Sequence, residues 1–371
     1  MAEVTFAERI GLDVLRRRID RKDSHIHKWS DVELAQVERI ERRTKAVAAL
    51  AGAISGAIIG AAEIWLGEGA LDLTGAMPWR KQLPYLSIYV SLTVAVSGAE
   101  ILYLYGYALE AVARISSLAG LSLSTREVEQ LVARGLSRAA MELPNPRQPI
   151  HGIDPYARVP RWKLLAYAIV YRIKVGATSF FLRVLLRRIL SRAAVRVFIP
   201  FVAIPVFAAW NALIARWVMR EVRIRAAGPL VVQELGERLA AERPNLSEDS
   251  RLLIAQAVGE VIVRGEDAHP NYALLLVRLF EDLEISPELV RVDWQSSRTH
   301  LQKLEPKAQD VLLLILTVAV ILNSRLRRAQ RDLLVEAYSL CGRPFRFEAV
   351  LEVRREFING QGLRYERRGE P

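Results

Sequence analysis

The clearest pattern along the chain is two long apolar runs, residues 46–66 and 83–107, separated by a short polar loop. Each run carries one charged residue, Glu63 in the first and Glu100 in the second. A bilayer core of roughly 30 Å needs about 20 helical residues to cross it, and both runs reach that length. Together they predict a transmembrane hairpin. Ahead of it the pattern is amphipathic: Phe6, Ile10, Leu12, Val14 and Leu15 recur between charges and predict a helix over 5–19. Ser30 and Glu33 have capping-box spacing and open a second helix, which carries Val37, Ile40 and a basic end into the first run.

Beyond the hairpin, residues 108–160 are polar. Ser124 and Glu127 form another capping box, and five prolines between Pro144 and Pro160 mark an irregular linker. Residues 163–196 are apolar but studded with arginine. Each buried cation costs about 2.5–3.5 kcal/mol on insertion scales, so this run suits a basic amphipathic helix lying in the membrane interface. A partly inserted hairpin, with Arg172 or Lys174 neutralised by Glu100, is the alternative. Residues 197–219 are again long enough to span, with Pro200 and Pro205 able to kink the helix and Asn211 able to bond across helices. From Pro229 onward, helices are predicted over 230–241, 248–264, 270–283, 287–292, 306–322, 327–340 and 347–358, with Gly342 and Gly360 as stops. The stretch 311–322 is too short to cross a bilayer and reads as the central buried helix of a bundle.

The predicted fold is therefore all-α: a helical integral membrane region of 2–4 spans plus a basic interfacial helix, followed by a C-terminal soluble helical bundle. The expected divisions are 1–45 (amphipathic helices), 46–107 (transmembrane hairpin), 108–160 (helix and Pro-rich linker), 161–222 (interfacial helix and further span), 223–245 (linker helix) and 246–371 (helical domain).

Composition changes this picture in two ways. The net charge of +11 would suit nucleic acid, but the basic clusters, Arg16 to Lys45 and Arg183 to Arg225, flank apolar runs. Anionic lipid headgroups and the positive-inside rule account for them instead. The single cysteine, Cys341, excludes an intrachain disulfide and fits a reducing, cytosolic side. No signal peptide is expected, because a long charged segment precedes the first apolar run.

Four sets of residues stand out. Gly52, Gly56 and Gly60 recur every four residues and predict a helix-packing seam. The intramembrane acids Glu63 and Glu100 lie at different depths. Glu63 sits in a last turn beside Trp65, whereas Glu100 is about 25 Å along its helix from Leu83 at 1.5 Å per residue, so they form no dyad. Glu100 is either functional or a snorkelling side chain. The spacings 183, 187, 192 and 196 keep arginines near one helix side, and Arg183, Arg187, Arg188, Arg192 and Arg196 are expected to contact lipid headgroups. His25 and His27, two apart and without a partner at ligand spacing, read as loop residues. No phosphate loop, nucleophile elbow or zinc spacing occurs, so no metal, cofactor or catalytic set is expected.

Two units in the C-terminal third share a plan. The segment starting at Arg251, RLLIAQAVGEVIVRGEDAHPNYALLLVRLFEDLEIS, is a long helix, a polar turn and a second helix; that starting at Val311, VLLLILTVAVILNSRLRRAQRDLLVEAYSLCG, repeats it. This layout resembles the TerB-like domain of tellurite-resistance proteins, a small all-helical fold. In that family each turn bears Asp-Gly followed by a Glu, giving an acidic metal-binding surface. Here Arg264-Gly265, Asn323-Ser324 and Gln330 occupy those places, so the resemblance implies the fold without the metal site. The membrane half resembles the EcsC-like bacterial membrane-associated proteins in its glycine-rich helix and in Ile199-Pro200 to Asn211-Ala212, which implies a location. The expectation is a multi-pass protein of the bacterial inner membrane with both termini cytoplasmic. It would be a scaffold or stress-response component that binds a protein partner and anionic lipids, and it could self-associate. The rival is a small-solute or ion transporter using the intramembrane acids.

Overall fold

The computed structural model describes residues 6–19, 25–66, 78–121, 127–176 and 199–363. Among them are twelve α-helices and no β-strand; the nearest approach to a strand is one isolated bridge, Ile150 with Ile153. We number them α1 (Phe6–Ile19), α2 (Asp31–Leu66), α3 (Trp79–Leu118), α4 (Glu127–Ala140), α5 (Arg161–Gly176), α6 (Ile199–Glu242), α7 (Glu248–Gly265), α8 (Pro270–Leu283), α9 (Trp294–Leu301), α10 (Pro306–Ile321), α11 (Arg328–Leu340) and α12 (Phe347–Ile358). The chain divides into two compact units. The first comprises residues 1–37, 112–160 and 220–371; the second comprises 38–111 and 161–219. The division falls inside α2, α3 and α6.

The first unit is a helical bundle around α10. Its stretch from Leu312 to Leu322 is buried except for the half-buried Leu314, because a helix apolar on nearly every face excludes water only from a bundle centre. It packs on α7, α11 and α12, and α7 in turn meets α8, α9 and α11. On the other side α1 lies on α4 and α4 on α8. The face α1 turns inward is Leu12, Leu15 and Ile19, whereas Ile10 is exposed. Glu8 and Arg138 close the α1–α4 contact with an ion pair at 2.6 Å.

The start of α2 forms the capping box its sequence predicts. The Ser30 backbone N–H donates to Glu33 Oε2 at 2.8 Å, and the Glu33 N–H donates to Ser30 Oγ at 3.3 Å. Gly342 and Gly360 end their helices with φ of +64° and +68°. At Gly360 the left-handed backbone also makes room for Trp29, whose ring would meet any Cβ there. The Trp29 N–H donates to the Gly360 carbonyl at 2.9 Å, so the segment before α2 is held by the turn after α12.

Three predicted elements differ from the structure. The segment 287–292 is only a 3-10 turn, Pro287–Leu289, and the helix that follows, α9, was not predicted. Asp293 starts it by accepting from the backbone N–H groups of Gln295 and Ser296 at 3.1 and 3.3 Å. The predicted span 197–219 and linker helix 230–241 are one helix, α6, which runs through Gly228-Pro229. A proline there removes one helix hydrogen bond. In the same turn the Asn271 amide donates to the Ile224 carbonyl at 3.1 Å, reaching it across Gly228, where a Cβ would lie 2.6 Å from Asn271 Nδ2. Finally, α3 continues eleven residues past Tyr107, because Ala108, Leu109, Val112 and Ile115 have a core to enter.

The second unit brings α2, α3, α5 and α6 together with a different surface. In α3 the most apolar window is only 11% buried, and in α2 it is 41% buried; both helices are long and apolar enough to cross a membrane. Gly52, Gly56 and Gly60 are buried. A Cβ at Gly52 would lie 2.6 Å from the Phe207 carbonyl oxygen and 2.7 Å from Asn211 Nδ2, so α2 and α6 touch backbone to backbone there. Gly98 of α3 has nothing within 4 Å of its Cβ position. Gly52→Leu should therefore destabilise the protein by about 1–3 kcal/mol through overpacking, while Gly98→Ala should leave it unchanged or slightly more stable. Thermal melts of both variants in one detergent, read against wild type, check this contrast.

Candidate functional site

Two clusters of polar side chains are built by the fold, one in each unit. In the second unit, Glu100 on α3 and Asn211 on α6 meet: Asn211 Nδ2 donates to Glu100 Oε1. Asn211 is 7% exposed, and its amide lies against Gly52, so the small residue on α2 is what admits it. Ser55 Oγ donates to the Gly52 carbonyl at 3.1 Å. Two further polar atoms of this unit, Thr93 Oγ1 and Trp210 Nε1, are buried without a hydrogen-bond partner in the structure. Glu100 is thus bound by a neutral amide. The alternative cationic partners, Arg172 and Lys174, have side chains outside the described residues. The same holds for the Glu63 side chain, although its backbone lies in the last turn of α2, and for Arg183, Arg187, Arg188, Arg192 and Arg196 altogether.

In the first unit the centre is Glu221 on α6. Its Oε1 accepts from His269 Nε2 at 3.0 Å and from Arg225 at 2.7 Å, and its Oε2 accepts from the Ser324 hydroxyl. His269 is fully buried and caps α8, with Nδ1 accepting the Asn271 backbone N–H at 3.2 Å. That bond places the imidazole proton on Nε2, where it is donated to Glu221. Serine, histidine and carboxylate therefore meet without forming a charge relay. Hydroxyl and imidazole both donate to one acid, and the second imidazole nitrogen is already engaged as a cap. A relay needs the hydroxyl to donate to the imidazole.

Around this centre lie other paired charges. Arg225, 4% exposed, also donates to the Gly135 carbonyl and to Asn145 Oδ1 at 3.0 Å. Arg354 donates to the Ile321 and Ser324 carbonyls at 3.1 and 2.8 Å. Arg223 donates to the Ile358 carbonyl at 2.7 Å and stacks on Trp29 with 5.9 Å from guanidinium to ring centre. Glu260 of α7 is fully buried and takes both guanidinium branches of Arg158 at 2.6 and 3.0 Å, with Arg264 at 2.7 Å. Arg223 and Arg225 correct the sequence reading, which grouped them with the headgroup cations. The correction has a physical cause: each finds several acceptors inside the bundle, which water-exposed arginines at an interface do not need.

The start of α11 also carries a polar residue with internal work. Gln330 is fully buried, and its amide donates to the Val261 carbonyl at 3.0 Å and to Tyr272 Oη at 2.8 Å. A glutamate carboxylate would only accept there. His27 lies beside the α2 cap, its Nε2 3.0 Å from Glu33 Oε1. Its pKa is raised by the bond to the His25 carbonyl and by Glu33. Among the described residues no group of three His, Cys, Asp or Glu side chains is arranged to hold a metal ion.

Sequence reasoning singled out Glu100 and Asn211 but missed the Glu221 cluster. Its one signal was local: an acid standing alone in the basic run Arg216 to Arg225. The structure defines an all-α protein of two units, one apolar on its surface and one knit by buried ion pairs. Compared with known protein families, curated proteins and solved structures, the chain matches none.

Burial pushes the Glu221 carboxyl up, but Arg225, His269 and Ser324 outweigh it and hold its pKa well below the ordinary 4.5. A carboxyl with a depressed folded pKa stabilises fully above its unfolded value, and that stabilisation fades as pH falls through the folded value. Acidification below about pH 4.5 should therefore weaken the first unit in wild type. Glu221→Gln should lose roughly 1.5–3 kcal/mol at pH 7 and show a flatter acid limb. Denaturant titrations at pH 7 and pH 4, followed by tryptophan fluorescence, check both.

Proposed function

We propose that this chain is a membrane-anchored scaffold, held in the bacterial inner membrane by its second unit and presenting the first unit to a cytosolic protein partner. One observation carries this reading: of 22 large hydrophobic side chains exposed on the described surface, 17 belong to the second unit. Scattered exposed apolar residues are normal on a water-soluble protein, but a concentration on α2, α3, α5 and α6 is not. At about 25 cal/mol per Å² of apolar surface, leaving such helices in water is strongly unfavourable, and hydrocarbon removes the penalty. In this reading Arg183, Arg187, Arg188, Arg192 and Arg196 flank the embedded unit and attract anionic headgroups. In this reading the helix pairs α7–α8 and α10–α11 are the two repeated units of a TerB-like layout. Carbonate washing of membranes should leave the full chain in the pellet, and detergent should release it. Recovery in the carbonate supernatant would defeat the anchor.

A second reading rests on the polar groups within the apolar unit. The half-buried Glu100 is bonded there to the buried Asn211, and Thr93 Oγ1 and Trp210 Nε1 lie buried without partners. Polar groups inside membrane helices mark solute and ion paths. For a transporter, proteoliposomes holding the wild type should show proton or cation flux that Glu100→Gln removes. Absence of flux from wild type leaves the scaffold standing.

A further inference from the structure

We propose that the mouth formed by the α10–α11 turn and the starts of α11 and α12 docks an acidic, amphipathic peptide segment of a protein partner; this rests on the scaffold reading. A cavity of about 310 Å³ opens there, lined by Leu326, Arg328, Arg331 and Phe347. Its chemistry is mixed in a specific way. The Arg331 guanidinium lies 5.4 Å from the centre of the Phe347 ring. A stacked guanidinium keeps its in-plane N–H edge available for a carboxylate. Arg328 and Arg331 each stand near Asp332, at 3.9 and 4.0 Å, beyond hydrogen-bond distance. Asp332 stands near both arginines, and the exposed neighbours are Arg325 and Arg346 against Glu348 and Glu352, which leaves four arginines to three acids. The local excess of charge is positive and asks for a negative partner.

The apolar side of the site argues for a peptide. Leu326 and Phe347 are its apolar lining. Val335, one turn beyond Arg331, is 44% exposed, and Leu351, one turn beyond Phe347, is 41% exposed. Apolar side chains set one helical turn from charged or aromatic ones match a partner helix with the same spacing of acid and leucine. Arginine beside an aromatic ring is also the composition of binding hot spots. A small ligand requires most of its surface enclosed. Here the Arg328 side chain is 88% exposed, so the site is open and suits a segment laid across it.

The test uses the full chain in nanodiscs of neutral lipid and a fluorescein-labelled helical peptide bearing Glu and Leu three and four residues apart. Anisotropy should report saturable binding, weakened at least tenfold by Arg328→Glu with Arg331→Glu, and several-fold by about 0.5 M salt. Leu351→Ser should weaken it several-fold, and a peptide with Lys for Glu should not bind. Arg328→Gln, a neutral change at a mostly exposed position, decides the matter should the charge reversal fail to fold; it should cost a few-fold. Binding unchanged by these arginine substitutions, binding equal for a peptide with Ser for Leu, or no binding to wild type overturns the proposal. So does arginine-dependent attachment to anionic vesicles without peptide binding, which would make the patch a membrane contact. Recovery of the chain in nanodiscs reports the anchor separately, so failure of the peptide site and failure of the membrane reading are told apart.

Discussion

A charge taken out of water must find a partner of opposite sign or a set of dipoles, because its desolvation costs several kcal/mol even after relaxation. The first unit is arranged around that constraint. Glu221 and Glu260 are acids in or near the bundle interior, and Arg223, Arg225 and Arg354 are buried cations. Each is met by groups from a distant part of the chain. Arg225 of α6 holds the carbonyl of Gly135 in α4 and the side chain of Asn145 beyond it. Arg354 of α12 holds the turn after α10. Arg158, in the proline-rich segment, holds Glu260 of α7. Such pairs add little net stability compared with well-packed apolar residues, but removing one partner leaves the other stranded. Their effect is to select one docking arrangement for segments that are far apart in sequence.

The second unit obeys the opposite rule. Many of its large apolar side chains face outward: Gly52 faces α6, while Leu50 and Ile54 on the same helix are 61% and 52% exposed, although Ile59, Tyr89 and Phe207 are buried. In hydrocarbon, burying leucine inside gains nothing over exposing it, and close backbone contact becomes the source of cohesion. In the proposed membrane setting the Glu100–Asn211 bond satisfies a polar group that would have no water to bond. A single helix can serve both rules. In α6, residues 199–215 hold no charge, whereas Glu221, Arg223 and Arg225 further on are held by ion pairs and hydrogen bonds.

The Glu221 cluster also bears on chemistry. Serine, histidine and glutamate within hydrogen-bond reach are the ingredients of a hydrolase, yet their donor directions make them a brace. The histidine caps α8 through one nitrogen and grips Glu221 through the other. The serine hydroxyl points its proton at the same carboxylate. What the cluster does is tie the α10–α11 turn and the start of α8 to α6.

What the sequence determined by itself was local: periodicity, caps and breakers. The two long apolar runs, the Ser30–Glu33 box, the starts at Pro270 and Pro306, and the stops at Gly342 and Gly360 all depend on neighbours within a turn or two, and they appear as expected. The apolar character of 311–322 likewise carried its own burial. Only the tertiary structure decided the rest. Gly228-Pro229 looks like a helix end, but the helix runs through it, and Asn271, more than forty residues away, packs on Gly228 and bonds the Ile224 carbonyl in that turn. Arg223 and Arg225 look like headgroup ligands, but acceptors from α4, α12 and Asn145 draw them inside. Glu221 becomes a hub because His269 and Ser324 arrive beside it from elsewhere in the chain. Glu100 was legible as an acid in an apolar run, but its partner was not, because choosing among Asn211, Arg172 and Lys174 requires knowing which helix lies alongside. Glu221 and Glu260 each have one partner a helical turn away, Arg225 and Arg264, which spacing alone can suggest. Their other partners, and those of Arg223 and Arg354, come from distant segments and leave no periodic mark in a sequence.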